Sequence, residues 1–104
     1  MRRVRILAEA AEEAIAAAAW YEAQQAGLGA DFQAALDATL DLLETEMVPL
    51  TAMPKAAGAR GAKRLLLRRF PYSVVVMELP DEYVVVAIAH QSRRPGYWRG
   101  RTHT

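Results

Sequence analysis

The sequence predicts an α+β domain of element order β-α-α-β-β-β, with a helical hairpin packed on an antiparallel sheet. Three observations predict it. Two helix-forming stretches follow one another before residue 48, three apolar runs of strand length follow residue 62, and short turn signals separate the strands.

At the start (residues 1–8), Arg3, Arg5 and Leu7 alternate with Val4 and Ile6, the period of a half-buried strand. Residues 9–47 form the helical hairpin. From Glu9 to about Ala26 the chain is rich in Ala and Glu, both strong helix formers. Ala11, Ile15, Ala18, Ala19 and Glu22 are expected on one face, where small side chains let a second helix approach closely. Glu9, Glu12 and Glu13 are expected on the solvated side. Gly27 suits a helix C-cap. The second helix runs from Ala30 to about Met47, with Phe32, Leu36, Leu40, Leu43 and Met47 as its apolar stripe. Asp31 favours the positive end of its dipole, and Pro49 ends it.

Residues 51–61 read as a loop, with Pro54, Gly58 and Gly61. A three-stranded meander follows over residues 63–90: Lys63–Arg69, Ser73–Leu79 and Tyr83–Ala89. Phe70-Pro71-Tyr72 and Pro80-Asp81 are the turns between them. The near-continuous Val runs imply central strands covered on both faces. Residues 91–104 are a basic, aromatic tail in which Pro95 and Gly96 break regular structure. With 104 residues, all of this is expected to form one domain, 1–104.

The composition, 53% hydrophobic and 24% charged, is that of a folded chain. No cysteine is present, which excludes disulfides and thiolate chemistry. No apolar run approaches the ~20 residues of a membrane helix, and the N-terminus lacks the apolar centre of a signal peptide. The net charge of +1 hides a split. Residues 1–54 hold three Arg against nine Asp/Glu, and residues 55–104 hold ten Lys/Arg against three. Such asymmetry points to an anionic or acidic partner on the basic side.

Three groups of residues, in order, resemble those of a known family. Trp20-Tyr21-Glu22 with Gly27-Leu28-Gly29 and Phe32 resembles the helix-hairpin signature of RelE/ParE superfamily toxins, the toxin half of type II toxin–antitoxin pairs. Phe70-Pro71-Tyr72 resembles the segment entering their central strand, and His90, Arg93, Pro95, Tyr97-Trp98 and Arg101 resemble the terminal motif of the ParE-like, plasmid-stabilisation branch. The resemblance spans Val4 to Arg101. It implies a small twisted antiparallel sheet with the N-terminal strand at its edge, a cytoplasmic location, no cofactor, and a cognate antitoxin as partner in a hetero-oligomer. It implies growth inhibition, either by poisoning of DNA gyrase or by ribosome-dependent mRNA cleavage. Gyrase is the first reading, the ribonuclease the second, and an inactive protein-interaction domain the third.

Metal-free RNA cleavage needs a group to orient or deprotonate a 2′-hydroxyl, cations to offset phosphorane charge, and an acid for the leaving oxygen. His90, Arg93, Tyr97 and Arg69 (or Arg68) are the candidates under that reading alone. For His90 a structural reading is preferred to the catalytic one, since it falls where a strand ends and can hydrogen-bond a loop backbone there. Tyr97 could stack on a base or pack on the domain, and Trp98 is expected to fold back over the sheet and anchor the tail. The resembled ribonuclease branch carries a more lysine-rich sheet face, whereas Lys occurs here only at Lys55 and Lys63. Arg64, Arg68, Arg94, Arg99 and Arg101, with Arg60, are the candidates for gripping a target or an acidic antitoxin segment. No phosphate loop, dinucleotide fingerprint or metal-ligand spacing is present. The Ala-rich first helix should leave a shallow groove beside the second, fit for a partner that folds on binding.

Overall fold

The computed structural model describes residues 3–45, 51–52, 62–94 and 96–101. The chain runs β1 (Arg3–Ile6), α1 (Ala8–Gln24), α2 (Leu28–Thr45), β2 (Thr51–Ala52), β3 (Ala62–Leu66), β4 (Tyr72–Glu78) and β5 (Glu82–His90), then a 3-10 turn (Arg99–Arg101). The α+β class and the expected element order hold. The sheet order is β1-β5-β4-β3-β2.

Two details of the sheet differ from expectation. β1 joins β5 in parallel, with Val4 opposite Tyr83 and Ile6 opposite Val85, so the sheet is mixed. Its direction follows from connectivity: the chain leaves β1 through two helices and returns along the other strands before reaching it. The stretch read as a loop also contributes β2, whose Thr51 and Ala52 pair with Arg64 and Lys63. Pro49, Met47, Lys55 and Arg60 lie outside the described residues.

The turns follow the sequence. Leu79 N–H donates to Glu82 C=O at 2.8 Å to close the β4–β5 hairpin. Around Pro71 the Tyr72 N–H donates to Phe70 C=O at 2.8 Å, a three-residue turn whose centre suits proline because its own N–H is not needed. Between the helices Gly27 adopts φ +89°, a left-handed conformation that costs glycine nothing. The Glu22 carboxylate accepts the N–H groups of Gly27 and Gly29, both at 2.9 Å. It thereby caps the orphan donors at the start of α2, and these bonds hold its pKa below the ordinary value.

The helical layer covers one sheet face. Phe32, Leu36 and Leu43 of α2 are buried as expected, against Val74, Val76, Val85 and Ile88. On α1 the buried residues are Ala10, Ala14 and Ala17, not the face containing Ala11, Ile15 and Ala19. An Ala-rich helix carries little amphipathic contrast, so its rotation is decided by α2 and the sheet. Gly29 sets the helix spacing: a Cβ there would stand 2.6 Å from Ala18 C=O.

Residues of the first two sequence signatures meet in one aromatic cluster. Tyr21 contacts Phe70 at 4.9 Å between ring centres, and Phe32 contacts Phe70 at 5.3 Å and Tyr72 at 5.2 Å. The other face of the sheet is covered by the tail. Trp98, 1% exposed, packs with Ala62, Val75, Val84, Val86 and Ala87. The tail is not irregular throughout, because the Arg101 N–H donates to Trp98 C=O within the 3-10 turn that follows Gly96.

Candidate functional site

The tail is held to α1 by a partly buried polar clasp. β1 ends at Ile6 while β5 continues to His90, so among the described residues no strand neighbours the edge of β5 beyond Val85. Its Ile88 N–H donates to Glu13 Oε1 at 3.0 Å, and its Val86 C=O accepts Arg101 Nη1–H at 3.1 Å. Arg101 and Glu13 then join in a two-pronged ion pair, Nη1–Oε1 2.8 Å and Nη2–Oε2 3.1 Å. Tyr97 completes the clasp, its hydroxyl donating to Glu13 Oε2 at 2.6 Å. Backbone groups that a further strand would have paired are thus paired by side chains. A bulge helps: Val75 pairs with Ala87 and Val76 with Val85, leaving Val86 unmatched.

Glu13 is therefore not a solvated helix carboxylate, as the sequence led us to expect. Burial acts to raise its pKa, but the Arg101 and Tyr97 hydrogen bonds and the Ile88 N–H outweigh it, and the pKa is lowered. Burial, the Glu13 hydrogen bond and the Glu13 charge push the Tyr97 phenol up. Arg101 is raised chiefly by its bond to Glu13. Three charged or polar groups act as one unit across the α1–tail junction.

Three of the four candidate catalytic residues converge. His90, Arg93 and Tyr97 line a common open cleft of about 260 Å³ between the end of β5 and α1, with Trp20 and Tyr72 also on its walls. Arg69 is not among the lining residues. It sits in the β3–β4 turn with φ +72°, loosely paired with Asp31 at 3.9 Å. His90 Nδ1 accepts the Ser92 N–H at 3.0 Å, and its ring meets Tyr72 edge to face at 5.1 Å. The strand-end structural role is thus realised, and in the neutral ring it leaves Nε2 as the donor nitrogen. The Arg93 guanidinium lies 4.0 Å from the centre of the Tyr97 ring.

The arginines read as a gripping cluster divide into groups. Arg64 and Arg94 share a small notch with Arg93 and His90 beside Trp98, on the tail side of the sheet. Among the described residues the buried Arg64 Nε has no hydrogen-bond partner. Arg68 is exposed in the β3–β4 turn beside Arg69. Arg101 is engaged by Glu13, and Arg99 opens the 3-10 turn. Among the described residues no group of three or more His, Asp or Glu could hold a metal ion, and no helix is long and apolar enough to cross a membrane.

A second surface lies on the other side of α1. A groove of about 250 Å³ runs between α1 and α2, lined by Ile6, Ala10, Ala14, Ile15, Leu36 and Leu40 among others. Ile15 is 68% exposed and Ile6 44%. The shallow groove expected from the small side chains is present, with its large apolar rim uncovered. Between Ala8 and Thr45 the chain carries eight carboxylates (Glu9, Glu12, Glu13, Glu22, Asp31, Asp37, Asp41 and Glu44) and no Lys or Arg. The groove is therefore set in an acidic layer.

Sequence reasoning missed Glu13 and the exposure of Trp20. The i, i+4 spacing of Glu13 from Ala17, a buried position, was the only available signal of an inward-leaning carboxylate.

No family model and no curated protein matches the chain. Its fold, however, is shared with a solved chain of the chromosomal ParDE TA system from P. aeruginosa. The two superpose with a TM-score of 0.71 at 16% sequence identity, over 86% of this chain and 96% of that one. The chain thus has the fold of a ParDE-system protein.

Proposed function

We propose that the chain is the toxin of a type II toxin–antitoxin pair, a cytoplasmic protein that inhibits growth and is neutralised by a cognate antitoxin. The observation that carries this reading is the uncovered apolar groove between α1 and α2, in a fold shared with a ParDE-system chain. An amphipathic helix of the antitoxin fits such a groove, and the acidic surroundings call for Lys or Arg along the flanks of that helix. Among the described residues β1 is an edge strand, and its outer side offers backbone groups for a strand of the same partner.

Of the two targets, poisoning of DNA gyrase by binding is favoured over cleavage of mRNA. The Tyr97 hydroxyl and the Arg101 guanidinium are both committed to Glu13. A phenol donating to a carboxylate is not free to protonate a leaving oxygen. The ribonuclease reading keeps one observation in its favour, the convergence of His90, Arg93 and Tyr97 on one cleft.

Expression of the chain alone should arrest growth, and co-expression of its antitoxin should relieve the arrest. Ile15→Asp should keep the arrest and lose the relief, because the side chain is exposed and lies on the groove. Purified chain should inhibit gyrase supercoiling. Codon-related cuts in ribosome-bound mRNA, with supercoiling intact, would transfer the assignment to the ribonuclease reading. Growth without arrest would leave the third reading, an inactive interaction domain.

A further inference from the structure

β5 ends in a tight turn that carries a serine against an imidazole. The Arg93 N–H donates to His90 C=O at 2.9 Å and closes the turn, and the Gln91 N–H donates to Pro71 C=O at 2.8 Å and ties it to the β3–β4 turn. Ser92 is exposed at its corner. The Ser92 Oγ lies 2.8 Å from His90 Nδ1, and the Ser92 N–H reaches the same nitrogen at 3.0 Å. These two contacts fix the direction of the hydroxyl proton. A backbone N–H can only donate, so in the neutral ring Nδ1 carries its lone pair and the hydroxyl donates to it as well. Tyr72 packs edge to face on the imidazole and holds the ring in place. A base is thus aimed at the proton of a solvent-facing hydroxyl.

The surroundings of the pair are cationic. Arg93 and Arg94 follow Ser92 in the chain, and both are exposed. With His90, Gln91 and Arg64 they line the notch on the tail side of the sheet, where the Arg64 Nε has no hydrogen-bond partner among the described residues. No carboxylate among the described residues forms an ion pair with Arg93 or Arg94. A hydroxyl with its base, beside uncommitted guanidiniums, suits the arrival of an anionic group: the base removes the proton and the cations hold the charge. We propose that Ser92 is a phosphoryl-acceptor site. In the step, Oγ attacks the terminal phosphorus of a nucleoside triphosphate. The Oγ–P bond forms as the bond from that phosphorus to the bridging oxygen breaks, His90 Nδ1 takes the hydroxyl proton, and a nucleoside diphosphate leaves. The chain carries no phosphate loop, so the triphosphate is presented by a second protein. The product sets a charge of about −2 among the notch arginines and cancels their basic face. The α1–α2 groove contains none of these residues in its lining. The covalent step stands apart from the toxin assignment, whereas its consequence, loss of the grip on the target, rests on that assignment.

Diisopropyl fluorophosphate, a phosphoryl electrophile that needs no second protein, is the probe. The full chain should take up one adduct, located on Ser92 by tandem mass spectrometry. Ser92→Ala should abolish it, and His90→Gln should slow it by about 100-fold, the low end of a general base's contribution. Thermal midpoints of both variants, expected near that of the parent chain, separate lost reactivity from lost fold. Phosphoserine installed at position 92 should abolish growth arrest, whereas Ser92→Ala should keep it. In the native host, the peptide containing Ser92 should carry phosphate in cells that grow with the chain present. Adducts that show no preference for Ser92, a rate unchanged in folded His90→Gln, or a Ser92 peptide free of phosphate in growing and arrested native cells alike overturns the site. Arrest by the phosphoserine form overturns the switch. Growth without arrest by the unmodified chain sinks the toxin reading instead, and the labelling result still decides the acceptor.

Discussion

Glu13 on the first helix and Arg101 in the last described turn, 88 positions apart, meet in a two-pronged ion pair that closes the exposed end of the central strand β5. The pair exists because β1 is shorter than β5. Strand pairing stops at Val85, and the next orphan donor and acceptor, Ile88 N–H and Val86 C=O, are taken up by the same two side chains. The tail that carries Arg93 and Tyr97 is thereby fixed against α1.

Glu13→Ala should destabilise the domain by about 3 kcal/mol, since it strands a mostly buried guanidinium and a backbone N–H together. Glu13→Gln should cost less and should alter the pH dependence. The folded-state pKa of Glu13 lies below its ordinary value of 4.5. Its contribution is therefore present above that value and is lost as pH falls through the lowered folded pKa. Urea midpoints measured from pH 7 down to pH 2.5 should show a shallower acid decline in the Gln variant. An unchanged acid limb would remove Glu13 as a stabilising carboxylate.

Trp98→Ala should cost about 4 kcal/mol, the range for deleting a fully buried large side chain. Its neighbours Val75, Val84 and Val86 on the tail face of the sheet would then meet water. Amide exchange should speed up most over residues 91–101 and along β5. Protection unchanged in the tail would mean that Trp98 is not its anchor.

Three glycines should answer differently to alanine. Gly29→Ala places a Cβ 2.6 Å from Ala18 C=O and 2.9 Å from Glu22 Cβ, and should cost about 2 kcal/mol by prising the helices apart. Gly27→Ala meets no atom within 4 Å but must hold φ +89°, and should cost about 1 kcal/mol. Gly100→Ala has neither burden and should change stability by under about 0.5 kcal/mol. Thermal unfolding of the three variants checks the order, and a reversal of the Gly29 and Gly100 effects would contradict the close helix approach.

Local structure was legible in the order of the residues. Apolar period, helix-forming composition and turn residues placed both helices and the three strands of the meander, and the Val runs implied that both sheet faces are covered, as α2 and Trp98 show. These features are legible because each depends on neighbours within a few residues. Ile6, Ile15 and Trp20 are ordinary apolar residues until the fold leaves them uncovered. Tertiary structure alone decided the parallel entry of β1, the rotation of α1 and the partners of Glu13. Alanine carries almost no directional preference, so α1 turns whichever face the sheet and Gly29 require. A carboxylate's choice between water and a guanidinium 88 positions away depends on where β1 happens to stop, a long-range geometry that no local pattern encodes.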